Sequence, residues 1–131
     1  MQYVPPFEAL KQFVQISTVK GEVRVSASYE DFLAMLRMLL AGVEVDEAWY
    51  RRTYEDIDRA VQTGEVISAR QHFISDGYFE GRIPAPIEVD EAWYLTQYPD
   101  VAESVRRGEF RSAQHHFQED GYREGRLPFR V

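Results

Sequence analysis

The sequence predicts a mainly α-helical fold, a tandem repeat of short helices preceded by a β-hairpin. Three observations support this prediction. A stretch of about 40 residues occurs twice in the sequence. The segment before it alternates apolar and polar residues. Within the duplicated stretch, Gly, Pro, Ser and Asp lie where short helices are expected to begin and end. The period of about 44 residues lies in the range of helical repeat units. We therefore divide the chain into residues 1–42, 43–86 and 87–131, packed as one compact domain.

The composition is that of a folded, acidic protein. The 131 residues are 44% hydrophobic and 14% aromatic, with a net charge of −7. This charge opposes a phosphate backbone, so we expect no nucleic-acid partner. The chain has no cysteine, which excludes disulfides and thiolate metal sites. No apolar run approaches the ~20 residues of a membrane span and no signal peptide is visible, so we expect a cytoplasmic protein that binds no membrane.

Residues 1–42 predict a hairpin and a capping helix. Pro5-Pro6 favours an extended leader. Phe13–Val19 is rich in β-branched and aromatic residues, Lys20-Gly21 supplies a turn, and Glu22–Ala27 alternates with the period of a strand. An isolated two-stranded hairpin is marginally stable in water. We therefore expect this one to pack on the helices or to extend its sheet across a subunit boundary.

A helix is predicted directly after the hairpin. Ser28 is placed to cap it, with Asp31 three residues later approximating a capping box. Apolar residues between Phe32 and Leu40 recur at helical spacing, and Gly42 is expected to end the helix.

Each repeat predicts three short helices. In the second repeat, Asp90 caps the first helix, Pro99 begins the second and Gly108 ends it. Ser112 can cap the third helix, and Gly121 is expected in the left-handed conformation that ends a helix. Four residues of the third helix share one face by their spacing, namely Ala113, His116, Phe117 and Asp120.

The matching polar and aromatic residues are interpreted as a structural signature of the repeat. Its members are Trp49, Trp93, His72, His116, Asp76, Asp120, Arg82 and Arg126. A histidine with an aspartate four residues later could orient a general base or bind a metal. A metal site needs three or four ligands, however, and no further histidine converges. We therefore predict no catalytic residue, metal or cofactor, and expect each histidine to be partly buried and bonded to an aspartate or a backbone carbonyl.

The arginines at the end of each repeat predict ion pairs. Asp76 and Asp120 are expected at the negative end of a helix, which is unfavourable for a carboxylate. Arg82 and Arg126 follow the next turn, so we expect each to pair with an Asp or Glu around the Glu-Gly-Arg turn.

The aromatic residues of the repeats divide into two groups. We assign the two tryptophans to the core between helices. A possible interaction surface consists of Tyr50, Tyr54, Tyr94 and Tyr98, because tyrosine is common at binding sites.

The second repeat resembles a short bacterial repeat of the form Tyr-x-x-x-x-Pro-Asp-Val, His-Tyr/Phe, Gly-x-x-Glu-Gly-Arg. The matching residues include Tyr94, Pro99-Asp100-Val101, His116-Phe117 and Glu124-Gly125-Arg126. The first repeat departs from the pattern, with Glu55 in place of the proline. Such units are appended to some bacterial glycosyltransferases and large secreted proteins. The resemblance implies a bacterial accessory module connected with cell-surface polysaccharide, and it supplies no catalytic residues.

Two repeats are fewer than the about three that helical arrays usually need. We therefore expect a non-enzymatic interaction or scaffold module whose partner is another protein or a second copy, reached through the hairpin. One alternative is a carbohydrate-binding accessory module that uses the tryptophans and tyrosines. Another is a small metal-dependent or acid/base enzyme built on His72, His116 and nearby carboxylates.

Overall fold

The computed structural model describes residues 3–131, and within them the fold is mainly α with an N-terminal β-hairpin, as predicted. The chain divides into two compact units, the first ending at Asp76 and the second beginning at Gly77. The sequence places the boundary between the repeats after Pro86, whereas in the structure the end of the first repeat, from Gly77 onward, belongs to the second unit.

The first unit contains the hairpin and most of the first repeat. Its elements are α1 (Phe7–Lys11), β1 (Gln15–Val19), β2 (Glu22–Ser26), α2 (Tyr29–Leu40), α3 (Glu47–Thr53), α4 (Glu55–Thr63) and α5 (Ala69–His72). A π-helical segment, Phe73–Gly77, continues α5.

The second unit contains the second repeat. Its elements are α6 (Glu91–Gln97), α7 (Pro99–Arg106) and α8 (Ala113–His116), and a π-helical segment, Phe117–Gly121, continues α8. Both repeats therefore consist of three short helices, of which the third ends in a wider π turn.

Pro6 is extended as predicted, but the extended path ends there, because α1 begins directly after it. The part of the prediction that concerns Met1 and Gln2 lies outside the described residues. A proline is tolerated there, since the first N–H groups of a helix have no intrahelical partner. The N–H groups of Phe13 and Val14 donate to Leu10 O and Lys11 O at 3.1 and 3.2 Å. These bonds draw both residues into the end of the helix, and β1 begins only at Gln15.

The predicted hairpin is confirmed. β1 and β2 are antiparallel, with Val19 opposite Glu22 across a two-residue turn. Lys20 and Gly21 both have positive φ, 52° and 77°, as the type I′ turn of a two-residue hairpin requires.

α2 caps the first repeat. Ser28 Oγ accepts a hydrogen bond from Asp31 N at 3.0 Å and begins the helix as predicted. At the other end, Leu40 is buried in the core of the repeat, and Arg37 Nε and Nη2 donate to Ser75 O at 3.3 and 3.0 Å. One apolar and one polar contact therefore tie α2 to the repeat.

Four of the five buried residues in each core are equivalent between the repeats, and the exceptions are Leu40 of α2 in the first core and Val89 in the second. The first core contains Leu40, Tyr50, Ile57, Ala69 and Phe73. The second contains Val89, Tyr94, Val101, Ala113 and Phe117. The predicted caps are confirmed as well, since Asp46 and Asp90 accept hydrogen bonds from Trp49 N and Trp93 N at 3.0 and 3.1 Å.

The prediction for Gly121 is wrong. Gly121 ends the π-helical segment without a positive φ, and the left-handed glycine comes later, at Gly125 (φ 80°). Gly81 has the same conformation (φ 81°) in the first repeat. The π turn extends the third helix further than a regular helical period predicts.

Candidate functional site

A buried tyrosine–histidine pair joins the first and third helices of each repeat. Tyr50 Oη lies 2.9 Å from His72 Nδ1, and Tyr94 Oη lies 2.9 Å from His116 Nδ1. Both tyrosines have 0% exposure, and the two histidines are 8% and 5% exposed. The prediction that each histidine bonds to an aspartate or a backbone carbonyl is wrong for these Nδ1 atoms, whose partner is a tyrosine hydroxyl. Burial raises the pKa of Tyr94 to about 12, so this hydroxyl stays protonated at neutral pH.

Gly121 makes room for the Tyr94 hydroxyl. A Cβ added at Gly121 would lie 2.3 Å from Tyr94 Oη and 3.3 Å from His116 Nδ1. The surrounding turn is π-helical, with Tyr122 N donating to Phe117 O at 3.0 Å. The glycine is therefore required by a close approach of a side chain, and its backbone conformation is helical.

A carboxylate from the first helix of each repeat binds the beginning of the third. Glu91 Oε2 and Oε1 accept hydrogen bonds from Ala113 N and Gln114 N at 2.9 and 2.8 Å. Glu47 makes the equivalent bonds in the first repeat at 3.0 and 2.8 Å. A negative charge satisfies the free N–H groups at the start of a helix. This contact joins residues 22 and 23 positions apart, and its only sign in the sequence is the glutamate repeated in Asp-Glu-Ala-Trp-Tyr.

Arg126 forms the predicted ion pairs, and its partners are Asp100 and Glu124, not Asp120. Its Nη1 and Nη2 bind Asp100 at 2.9 and 2.6 Å, and its Nε binds Glu124 at 2.6 Å. The hydrogen bond to Arg126 lowers the pKa of Asp100, and the two carboxylates raise the pKa of Arg126. The guanidinium also lies 4.9 Å from the ring centre of Tyr98.

The other charged members of the signature have polar partners close to them in the sequence. Arg82 Nε binds Glu80 at 2.9 Å, so the pairing around the Glu-Gly-Arg turn is confirmed in both repeats. Asp120 lies 3.9 Å from Arg123, and Asp76 accepts a hydrogen bond from Ser75 Oγ at 3.0 Å.

The predicted tyrosine surface is wrong for its two buried members, Tyr50 and Tyr94. Each of their hydroxyls is hydrogen-bonded to a histidine inside the repeat, so the hydroxyl does not have to reach water. The half-buried Tyr54 packs edge-on against Trp49, with ring centres 6.3 Å apart, and Tyr98 and Trp93 repeat this contact at 6.1 Å. Trp49 and Trp93 are half-buried at the margin of the cores.

The exposed apolar residues of the first unit include one face of the hairpin. We define the hairpin face as Ile16, Thr18, Val23 and Val25, since Ile16 is opposite Val25 and Thr18 is opposite Val23. Val23 and Val25 are 68% and 64% exposed, and Ile16 is 50% exposed. Every residue of β1 and β2 is exposed, so neither side of the hairpin is covered within the described chain.

Three side chains of the second repeat converge in a way that suits a metal ion. One ligand atom each from His116, Asp120 and Glu124 lies within 4.8 Å of the other two. The sequence suggested Asp120 and nearby carboxylates as partners of His116, but it did not single out Glu124. The regular spacing His-x-x-x-Asp-x-x-x-Glu was the available signal.

Among the described residues, none of the helices combines the length and apolar character needed to cross a bilayer. Comparison of the chain with models of protein families, with curated proteins and with solved structures finds no match.

Proposed function

We propose that this chain is a non-enzymatic protein–protein interaction module that self-associates through its hairpin. The exposed hairpin face is the observation that carries the proposal. Two strands with both sides in water are marginally stable, and Val23 and Val25 remain largely exposed. Pairing with a second copy would complete a larger sheet and cover these side chains.

The free edge of β2 is suited to this pairing. In an antiparallel hairpin with a two-residue turn, the flanking residues Val19 and Glu22 form a hydrogen-bonded pair, and such pairs alternate along the strands. The backbone groups of Val23 and Val25 therefore point away from β1. An outer strand that leaves such groups unpaired is a template for another strand.

The charges of β2 favour one register with a second copy. When two β2 strands run antiparallel with Val23 opposite Val23, Glu22 of each copy lies opposite Arg24 of the other. A register centred on Arg24 would instead place two arginines opposite each other. Opposite charges across a strand pair stabilise by about 0.2–1 kcal/mol and like charges destabilise. Charge complementarity therefore selects the first register, which also brings the two hairpin faces side by side.

Charge reversal tests the proposal. Analytical ultracentrifugation of the full chain is expected to show a monomer–dimer equilibrium at tens of micromolar. Glu22→Arg and Arg24→Glu should each weaken the dimer, and the double variant should restore it, because the opposite charges then face each other again. Glu30→Arg, the same change at an exposed position of α2, is the matched control.

Two results would count against the proposal in different ways. A wild-type chain that stays monomeric at these concentrations would exclude self-association. A dimer that is unaffected by either single reversal would exclude the β2 register. The resemblance to bacterial repeats makes a bacterial accessory module part of this proposal, with the hairpin as its contact surface.

A further inference from the structure

We propose that His116, Asp120 and Glu124 bind a divalent transition-metal cation of the Zn²⁺ class. The three side chains supply one imidazole nitrogen and two carboxylate oxygens within 4.8 Å of one another. This site lies in the second repeat and is independent of the hairpin and of self-association.

One imidazole nitrogen of His116 is held by a hydrogen bond, and the other is open. His116 Nδ1 is bonded to Tyr94 Oη, while no hydrogen bond reaches Nε2 from the described residues. Among those residues, every buried side-chain nitrogen or oxygen has a hydrogen-bond partner. Nε2 must therefore reach solvent, although the residue as a whole is only 5% exposed. A ligating histidine usually has its second nitrogen hydrogen-bonded in this way, which fixes the ring.

The two carboxylates keep an oxygen available for a cation. Arg126 Nε contacts Glu124 Oε2 at 2.6 Å, which orients the carboxylate and leaves Oε1 without a hydrogen bond from the described residues. Arg123 lies 3.9 Å from Asp120 Oδ1, at the outer limit of an ion pair. A bound cation would displace Arg123, while Arg126 would retain its two bonds to Asp100.

The donor set indicates the class of cation. Imidazole nitrogen combined with carboxylate oxygen suits Zn²⁺ and neighbouring first-row ions, and three protein ligands leave one position for water. Ligand atoms about 2.1 Å from a tetrahedral ion are about 3.4 Å apart. The atoms must therefore approach by up to about 1.4 Å. The side chains of Asp120 and Glu124, 48% and 43% exposed, can make this movement by rotation.

The first repeat carries the same three residue types at the same spacing, His72, Asp76 and Glu80. The experiment must therefore separate the two repeats. Each variant of the second repeat is made in the wild-type chain and again in a chain that carries Asp76→Asn and Glu80→Gln. In the second chain, the heat of metal binding comes from the second repeat.

Isothermal titration of the tag-free chain with ZnCl₂ in a non-chelating buffer tests the site. We expect saturable binding that Asp120→Asn and Glu124→Gln each weaken by at least about tenfold, since even changes outside the ligand set commonly cost this much. Glu119→Gln is the control, because it removes the same charge from the neighbouring exposed residue. Zn²⁺ should also raise the unfolding temperature of the wild type more than that of either ligand variant.

Two outcomes would overturn the assignment. One is the absence of saturable Zn²⁺ binding up to about 1 mM in the wild type. The other is binding by both ligand variants with the affinity of Glu119→Gln. Circular dichroism of the metal-free variants shows whether they fold, which separates loss of a ligand from loss of structure.

Discussion

Replacing Gly121 with alanine directly tests the buried contact between helices of the second repeat. The new Cβ would lie 2.3 Å from Tyr94 Oη, a separation that side chains cannot sustain. Tyr94 is fully buried, so its ring has no open space in which to relax. We expect the hydroxyl to be pushed away from His116 Nδ1, which breaks their 2.9 Å hydrogen bond.

Three contributions set the size of the effect. Leaving a buried hydrogen-bonding group without its partner costs about 1–3 kcal/mol. Forcing an extra carbon into a packed core costs about 1–3 kcal/mol more. Alanine in a helix is about 1 kcal/mol better than glycine, which partly offsets these costs. The free energy of unfolding should therefore fall by about 3 kcal/mol.

A double-mutant cycle identifies the cause of this loss. Urea unfolding followed by circular dichroism would compare Gly121→Ala with the same change in a Tyr94→Phe background. Without the hydroxyl, the nearest atoms to the new Cβ lie 3.3 Å away. Gly121→Ala should therefore lower the free energy of unfolding by at least about 1 kcal/mol less in the Tyr94→Phe background than in the wild type.

Gly108→Ala is the matched control, since no atom lies within 4 Å of its added Cβ and only the strain of its φ of 79° remains. Equal costs for Gly121→Ala in both backgrounds would refute the steric argument. A Gly121→Ala variant as stable as the wild type would do the same.

The remaining predictions concern the carboxylates of the second repeat. Glu91→Gln should lower the free energy of unfolding by about 1–2 kcal/mol, because a neutral amide replaces the carboxylate that binds two N–H groups at the start of α8. The control is Glu88→Gln, at an exposed position, which should change the free energy of unfolding little in the same urea titration. Since folding lowers the pKa of Asp100 through Arg126, the pair stabilises the fold above the pKa of an unfolded aspartate, about 3.9, and this contribution disappears as the pH falls through the lower folded value. Thermal unfolding from pH 7 to pH 2 should therefore show Asp100→Asn less stable than the wild type at neutral pH, with the difference shrinking below about pH 4, whereas a difference independent of pH would contradict this explanation.

Local chemistry explains what the sequence by itself determined. The tandem repeat is visible directly as matching residues about 44 positions apart. The hairpin and the caps at Ser28, Asp46 and Asp90 follow from residues within about four positions of one another. A cap or a tight turn is satisfied by its own neighbours, so it can be predicted before the rest of the chain is placed. Periodicity also predicted correctly that His116 and Phe117 face inward together.

Only the tertiary structure decided which polar groups meet. Tyr94 and His116 are 22 residues apart, and Arg126 and Asp100 are 26 apart, so neither pair belongs to one helix. Spacing along a helix predicts its neighbours at three and four residues, but the partner on another helix depends on how the helices pack. The π turn that ends at Gly121 moves the histidine, the aspartate and the glycine relative to a regular helix. His116 bonds to a buried tyrosine that the sequence suggested for the surface, and this pair depends on how α6 packs against α8.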